Sequence, residues 1–139
     1  MSRFVLDASV AVAWIADTPM DPYAAQVQRQ IESGWRALLP PLWQMEVVNG
    51  LLMAERRNTL TALETEQGLF DMERFLVSRA ELDGMQPSMR QVAKFARMFQ
   101  LTVYDAVYLE LAQREHVPLA TLDKALRAAA DKAGVELVQ

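Results

Sequence analysis

Residues 4–16 read FVLDASVAVAWIA, an apolar run interrupted by one charge, Asp7. Phe4, Val5 and Leu6 are strand formers, and they lead straight into the carboxylate. Small residues, Ala8 and Ser9, follow it, and the run reads on as a short helix from about Ser9 to Ala16. A carboxylate in apolar surroundings is costly unless it is paired, protonated or bound to a metal. How Asp7 is accommodated therefore bears on both fold and chemistry.

Outward from this stretch, strand-like and helical runs alternate, the pattern of an α/β fold with a parallel sheet. Asp21 caps a helix that starts at Pro22 and ends before Gly34, with Tyr23, Val27 and Ile31 as its buried stripe. RALL (36–39) is a second strand stopped by Pro40-Pro41, and the helix LWQMEVVNGLLMAERR follows. TALE (61–64) is a capping box for a helix to about Val77, with a short strand at 80–82 after it. Ser88 and Gln91 suggest another capping box, with Val92, Phe95, Ala96 and Phe99 facing inward. LTVYDAVYLELAQREH (101–116) is apolar on most faces and so central. VPLATL (117–122) reads as a strand, DKALRAAADKAG as a helix ended by Gly134, and VELV (135–138) as a last strand. No repeat or linker divides residues 1–139, so one domain is expected.

With 139 residues, 52% hydrophobic and 23% charged, the chain has the make-up of a soluble globular protein. It has no cysteine, which excludes disulfides and thiolate chemistry and suits a cytoplasmic location. One histidine excludes sites that need several imidazoles; His116 sits at a helix end. The apolar opening is shorter than the roughly 20 residues of a membrane span, and Asp7 spoils it as a signal peptide. No membrane association is expected. A formal charge of −4 argues against gripping long nucleic acid through a basic face, but carboxylates that bind a metal would contribute to that charge.

Four acids, Asp7, Glu46, Asp105 and Asp123, stand where strands give way to helices or near helix starts. Each has a plain structural reading. Asp7 can open a turn, Glu46 can favour a helix N-terminus, Asp105 can form a capping box with Thr102, and Asp123 can cap the last helix. Jointly they point elsewhere. Ligands of open parallel sheets collect beyond the carboxyl ends of strands where strand order reverses. Carboxylates converging there without basic partners call for a hard divalent cation, Mg2+ or Mn2+. Asn49, one turn after Glu46, is placed to orient it or hold a metal-bound water, and Gly50 keeps that face clear or allows close helix packing. Ser9 and Thr121 offer hydroxyls beside Asp7 and Asp123.

Together FVLDASV, EVVN, YDAVYLELA and LATLDKAL resemble PIN-domain ribonucleases over the whole chain, closest to the VapC-type toxins of bacterial toxin–antitoxin pairs. The resemblance implies a three-layer α/β/α fold with a parallel sheet of four to five strands in the order 3-2-1-4-5. It places the family's catalytic, metal-binding quartet on Asp7, Glu46, Asp105 and Asp123. It also implies an RNA substrate, a cognate VapB-like antitoxin and a homodimer.

The expected reaction is metal-dependent hydrolysis of an RNA phosphodiester, leaving a 5′-phosphate and a 3′-hydroxyl without a protein nucleophile. The cation is held mainly by Asp7 and Asp105, with Glu46 and Asp123 completing its surroundings. Lys124 and Arg127 are the nearest candidates for holding RNA, with Arg56 and Arg57 further off. Trp14, Trp43 and Tyr108 are candidates for stacking on bases or, by default, for the core. Other readings are an RNA-processing nuclease without an antitoxin and a non-catalytic PIN-like binding module. A phosphatase of the haloacid-dehalogenase type is disfavoured, because Ser9 stands where that family wants a second aspartate.

Overall fold

The apolar opening forms β1 (Arg3–Leu6), an interior strand of a parallel four-stranded sheet with the order β3-β2-β1-β4. The computed structural model describes residues 2–85 and 87–139. β2 (Arg36–Leu39) pairs with β1 in the register Phe4↔Ala37, and β3 (Ala80–Leu82) pairs with β2. β4 (Leu119–Ala120) flanks β1 on the other side, with Leu6 opposite Ala120. Phe4, Val5 and Leu6 are all fully buried, as expected for a strand covered by helices on both faces.

One helical layer is α1 (Ala8–Ala16), α2 (Pro22–Glu32), α3 (Leu42–Arg56) and α4 (Ala62–Ser78). The other is α5 (Met89–Phe99), α6 (Val103–Glu115) and α7 (Lys124–Ala133). The split follows from right-handed crossovers, because the chain steps outward from β1 to β3 and then returns past β1 to β4. Local signals set most boundaries. Asp21 Oδ1 accepts from the Tyr23 and Ala24 amides, Thr61 and Glu64 make both bonds of a capping box, and Gly134 ends α7 at φ 73°. Ser88 accepts from the Gln91 amide at 3.0 Å, so its half of the expected box is present. α6 is buried from Ala106 through Ala112 apart from Val107, which is half-buried. Among the described residues no helix is long and apolar enough to cross a membrane.

Two strands are shorter than the sequence suggests. VPLATL narrows to Leu119–Ala120 because Pro118 has no N–H, and Thr121 Oγ1 accepts the Asp123 amide to turn the chain. VELV makes a single bridge, Leu137 to Leu119, so the fifth position of the expected order is held by one bridge rather than a strand. A two-residue neighbour offers no longer ladder.

Small residues set how closely α1 packs. A methyl group added at Gly50 would lie 2.6 Å from Val12 Cγ2, and one at Gly68 would lie 2.6 Å from Ile15 Cγ2. Close packing, rather than an open face, is therefore the role of Gly50. It also lets α3, which carries Glu46, approach α1, which begins at Asp7. Gly50→Ala is expected to lower stability by about 1 kcal/mol in urea unfolding. Overpacking of roughly 1–3 kcal/mol outweighs a helix-propensity gain of about 1 kcal/mol. A stabilised variant would contradict this account.

Candidate active site

Asp7 occupies the N-cap position of α1, yet its side chain makes no capping bond. It is only 5% exposed. Ser9 Oγ–H and Thr121 Oγ1–H both donate to Oδ2, at 2.6 and 2.7 Å. The direction of these bonds is fixed from behind, since Ser9 Oγ accepts the Leu122 amide and Thr121 Oγ1 accepts the Asp123 amide. No side-chain donor reaches Oδ1 among the described residues. Burial pushes the Asp7 carboxyl above its ordinary range; the two hydroxyls oppose that rise, and the charge of Asp123 adds to it.

Glu46 lies in the second turn of α3 rather than its first, so a helix N-terminus does not explain it. Tyr108 Oη–H donates to Glu46 Oε1 at 2.6 Å, from 62 residues away. Burial raises the Glu46 carboxyl, the phenol lowers it, and the charge of Asp7 raises it. Asp105 is in the first turn of α6, where its amide donates to Thr102 Oγ1 at 3.2 Å. Its carboxyl is pushed up to about 6, first by burial and then by Asp123, Asp7 and Glu46 in turn. Asp123 caps α7, and its Oδ2 accepts the Leu126 amide at 2.8 Å.

Asp105 therefore senses the charges of Asp7, Glu46 and Asp123, which places the four acids in one neighbourhood. None belongs to any ion pair among the described residues; the pairs there join Arg3 and Arg114 to Glu81, Asp83, Glu110 and Glu115. The capping roles of Asp105 and Asp123 coexist with this convergence. Among the described residues no three acids or histidines are drawn close enough together to hold a metal ion. The donor set fits a hard divalent cation: it is all oxygen and without basic partners, and Asp7 keeps one oxygen clear of side-chain donors.

The supporting residues divide. Ser9 and Thr121 reach Asp7 directly. Asn49 is exposed, and the side chain that holds Glu46 is Tyr108. Lys124 is exposed at the start of α7. Arg127 is engaged, donating to the Thr121 carbonyl at 2.7 Å with its guanidinium 4.6 Å from the Tyr23 ring centroid. Trp43 and Tyr108 are core residues, 1% and 0% exposed. Trp14 Nε1 donates to the Ala24 carbonyl at 2.8 Å, tying α1 to α2. Tyr108, a candidate for base stacking or the core from sequence, lies in the core and bonds Glu46. Its spacing of three from Asp105, one helical turn along α6, was the available signal.

A search of curated proteins gives no match. Among solved structures the chain is similar to PAE2754 from Pyrobaculum aerophilum, with a TM-score of 0.69 and 22% identity over 92% of this chain and 84% of that one. It is also similar to a domain of a functionally unknown protein from Methanocaldococcus jannaschii, with a TM-score of 0.55 and 14% identity over 99% and 90% of the two chains. At these identities the likeness establishes a shared fold. The family model for the PIN domain matches residues 4–132, a span that takes in all four acids. The chain therefore belongs to the PIN domain family, a nuclease superfamily.

Proposed function

We propose that this PIN domain is a Mg2+- or Mn2+-dependent endoribonuclease, the VapC-like toxin of a cytoplasmic toxin–antitoxin pair. The observation that supports this most is Asp105, whose carboxyl is raised first by burial and then by the charges of all three other acids, while no basic side chain pairs with it among the described residues. Asp7 and Asp105 would hold the cation, with Glu46 and Asp123 completing its surroundings. When bound, such an ion activates water and polarises the scissile phosphate. The chain's own residues do the rest. Ser9 and Thr121 fix Asp7 through Oδ2, the Leu126 amide fixes one oxygen of Asp123, and Lys124 offers an exposed charge for RNA phosphate. Arg127 braces the loop at Thr121.

A VapB-like antitoxin and a second copy of the chain are the proposed protein partners. A groove of about 570 Å³ between α3 and α4, lined by Trp43, Met45, Val48, Leu69 and Phe70, supports a docking role for this face. Met45 and Phe70 are 68% and 59% exposed there. The test pairs wild type with Asp7→Asn on structured RNAs, with Mg2+ and with chelator. Cleavage is expected only for wild type with metal, and equal cleavage in all samples refutes the mechanism. Growth arrest on expression, relieved by a small protein encoded next door, is the outcome expected of a toxin. Harmless expression with intact cleavage would point to an RNA-processing nuclease instead.

A further inference from the structure

Tyr108 is one of the largest fully buried side chains, yet it carries a hydroxyl where phenylalanine would fill the same space. That hydroxyl caps no helix. It crosses from α6 in one layer to α3 in the other and donates to Glu46 Oε1 at 2.6 Å, a short bond of the charge-assisted kind. Tyr108 and Asp105 lie three residues apart on α6, so one helix face delivers both a carboxylate and the donor that holds a second carboxylate. Glu46 Oε1 is thereby committed, and Oε2 has no side-chain donor among the described residues. A carboxylate on a helix surface otherwise samples several rotamers, and ordering it during binding costs free energy.

We infer that Tyr108 is a positioning residue for the acidic site, locking the Glu46 carboxylate in register with Asp105 so that both meet one divalent cation. This rests on the nuclease reading above. Partners that orient metal ligands in this way typically change metal affinity or activity by about 10- to 100-fold when removed.

The test measures Mn2+ binding by titration calorimetry and RNA cleavage for wild type, Tyr108→Phe, Glu46→Gln and the double variant, with thermal unfolding in chelator as the check on folding. Tyr108→Phe is expected to weaken Mn2+ binding and lower kcat by about 10- to 100-fold while leaving KM for RNA unchanged. In the Glu46→Gln background it is expected to cost nothing further, because the group it positions has lost its charge. Glu46→Asp, which withdraws the carboxylate from the phenol but leaves Tyr108 in the core, is expected to show a loss similar to that of Tyr108→Phe. Where Tyr108→Phe does not fold, unchanged Mn2+ affinity and kcat in Glu46→Asp overturn the inference. Unchanged Mn2+ affinity and kcat in the folded variants would overturn the inference, as would effects of Tyr108→Phe and Glu46→Gln that multiply. Wild type that binds Mn2+ but cuts no RNA overturns the ribonuclease reading alone, and the calorimetric arm then decides the role of Tyr108. Wild type that binds no Mn2+ overturns both.

Discussion

Asp7→Asn is expected to reduce RNA cleavage by about 100-fold or more while making the metal-free protein more stable. The two effects share one cause. Asp7 is nearly sealed from solvent, and burial and the charge of Asp123 both disfavour its ionised form. Asparagine keeps an oxygen that accepts from Ser9 and Thr121 but removes the buried charge. Folding gains, and the site loses the anionic ligand that a cation needs. Such opposition between stability and activity is usual at functional sites. Melting curves in chelator, run beside cleavage assays, check it. A variant that is both inactive and markedly less stable would mean that Asp7 serves the fold and not the metal.

The second large effect is a stability that depends on pH and on metal together. The Asp105 carboxyl is pushed up to about 6, from an ordinary value of 3.8. Between those values the folded protein holds a proton that the unfolded chain has released, so this group's stabilising contribution is lost as pH rises through about 6. Asp7 and Glu46 are shifted in the same direction. In chelator, Tm is therefore expected to fall from pH 5 to pH 7. With Mn2+ at 100 times its dissociation constant, binding adds about 2.7 kcal/mol. The slope is expected to reverse, because protons and cation compete for the same oxygens. Asp105→Asn should flatten the chelator curve. Thermal scans across this range, with and without Mn2+, decide the matter; a Tm that rises toward neutrality in chelator and ignores Mn2+ would contradict a metal site here.

Both effects arise from residues the sequence singles out, but it identifies them unequally. Asp7 is conspicuous because the apolar surroundings of FVLDASV weaken its local reading as the start of a turn. Asp105 and Asp123 are less so: Thr102 accepts the Asp105 amide, Asp123 caps α7, and either role would satisfy a local reading. What distinguishes them is that their carboxylates also feel one another, and that is a property of distance across the fold. Arg127 illustrates the converse. Its neighbourhood to Asp123 in sequence suggests an RNA contact, whereas the fold turns it onto Thr121 and Tyr23.

Apolar patterning and capping chemistry were enough to determine the alternation of strands and helices and the helix starts at Pro22, Ala62 and Lys124, whereas the strand order came only from the family resemblance. Burial pattern, side-chain caps and glycine stops act over a few residues, so they are written locally. The length of β4 and the lone bridge at Leu137 depended on pairing partners, and so did the bond from Tyr108 to Glu46. Those were decided only when separate segments met, 62 residues apart in the case of Tyr108 and Glu46, because a hydrogen bond between distant groups leaves no local periodicity to read.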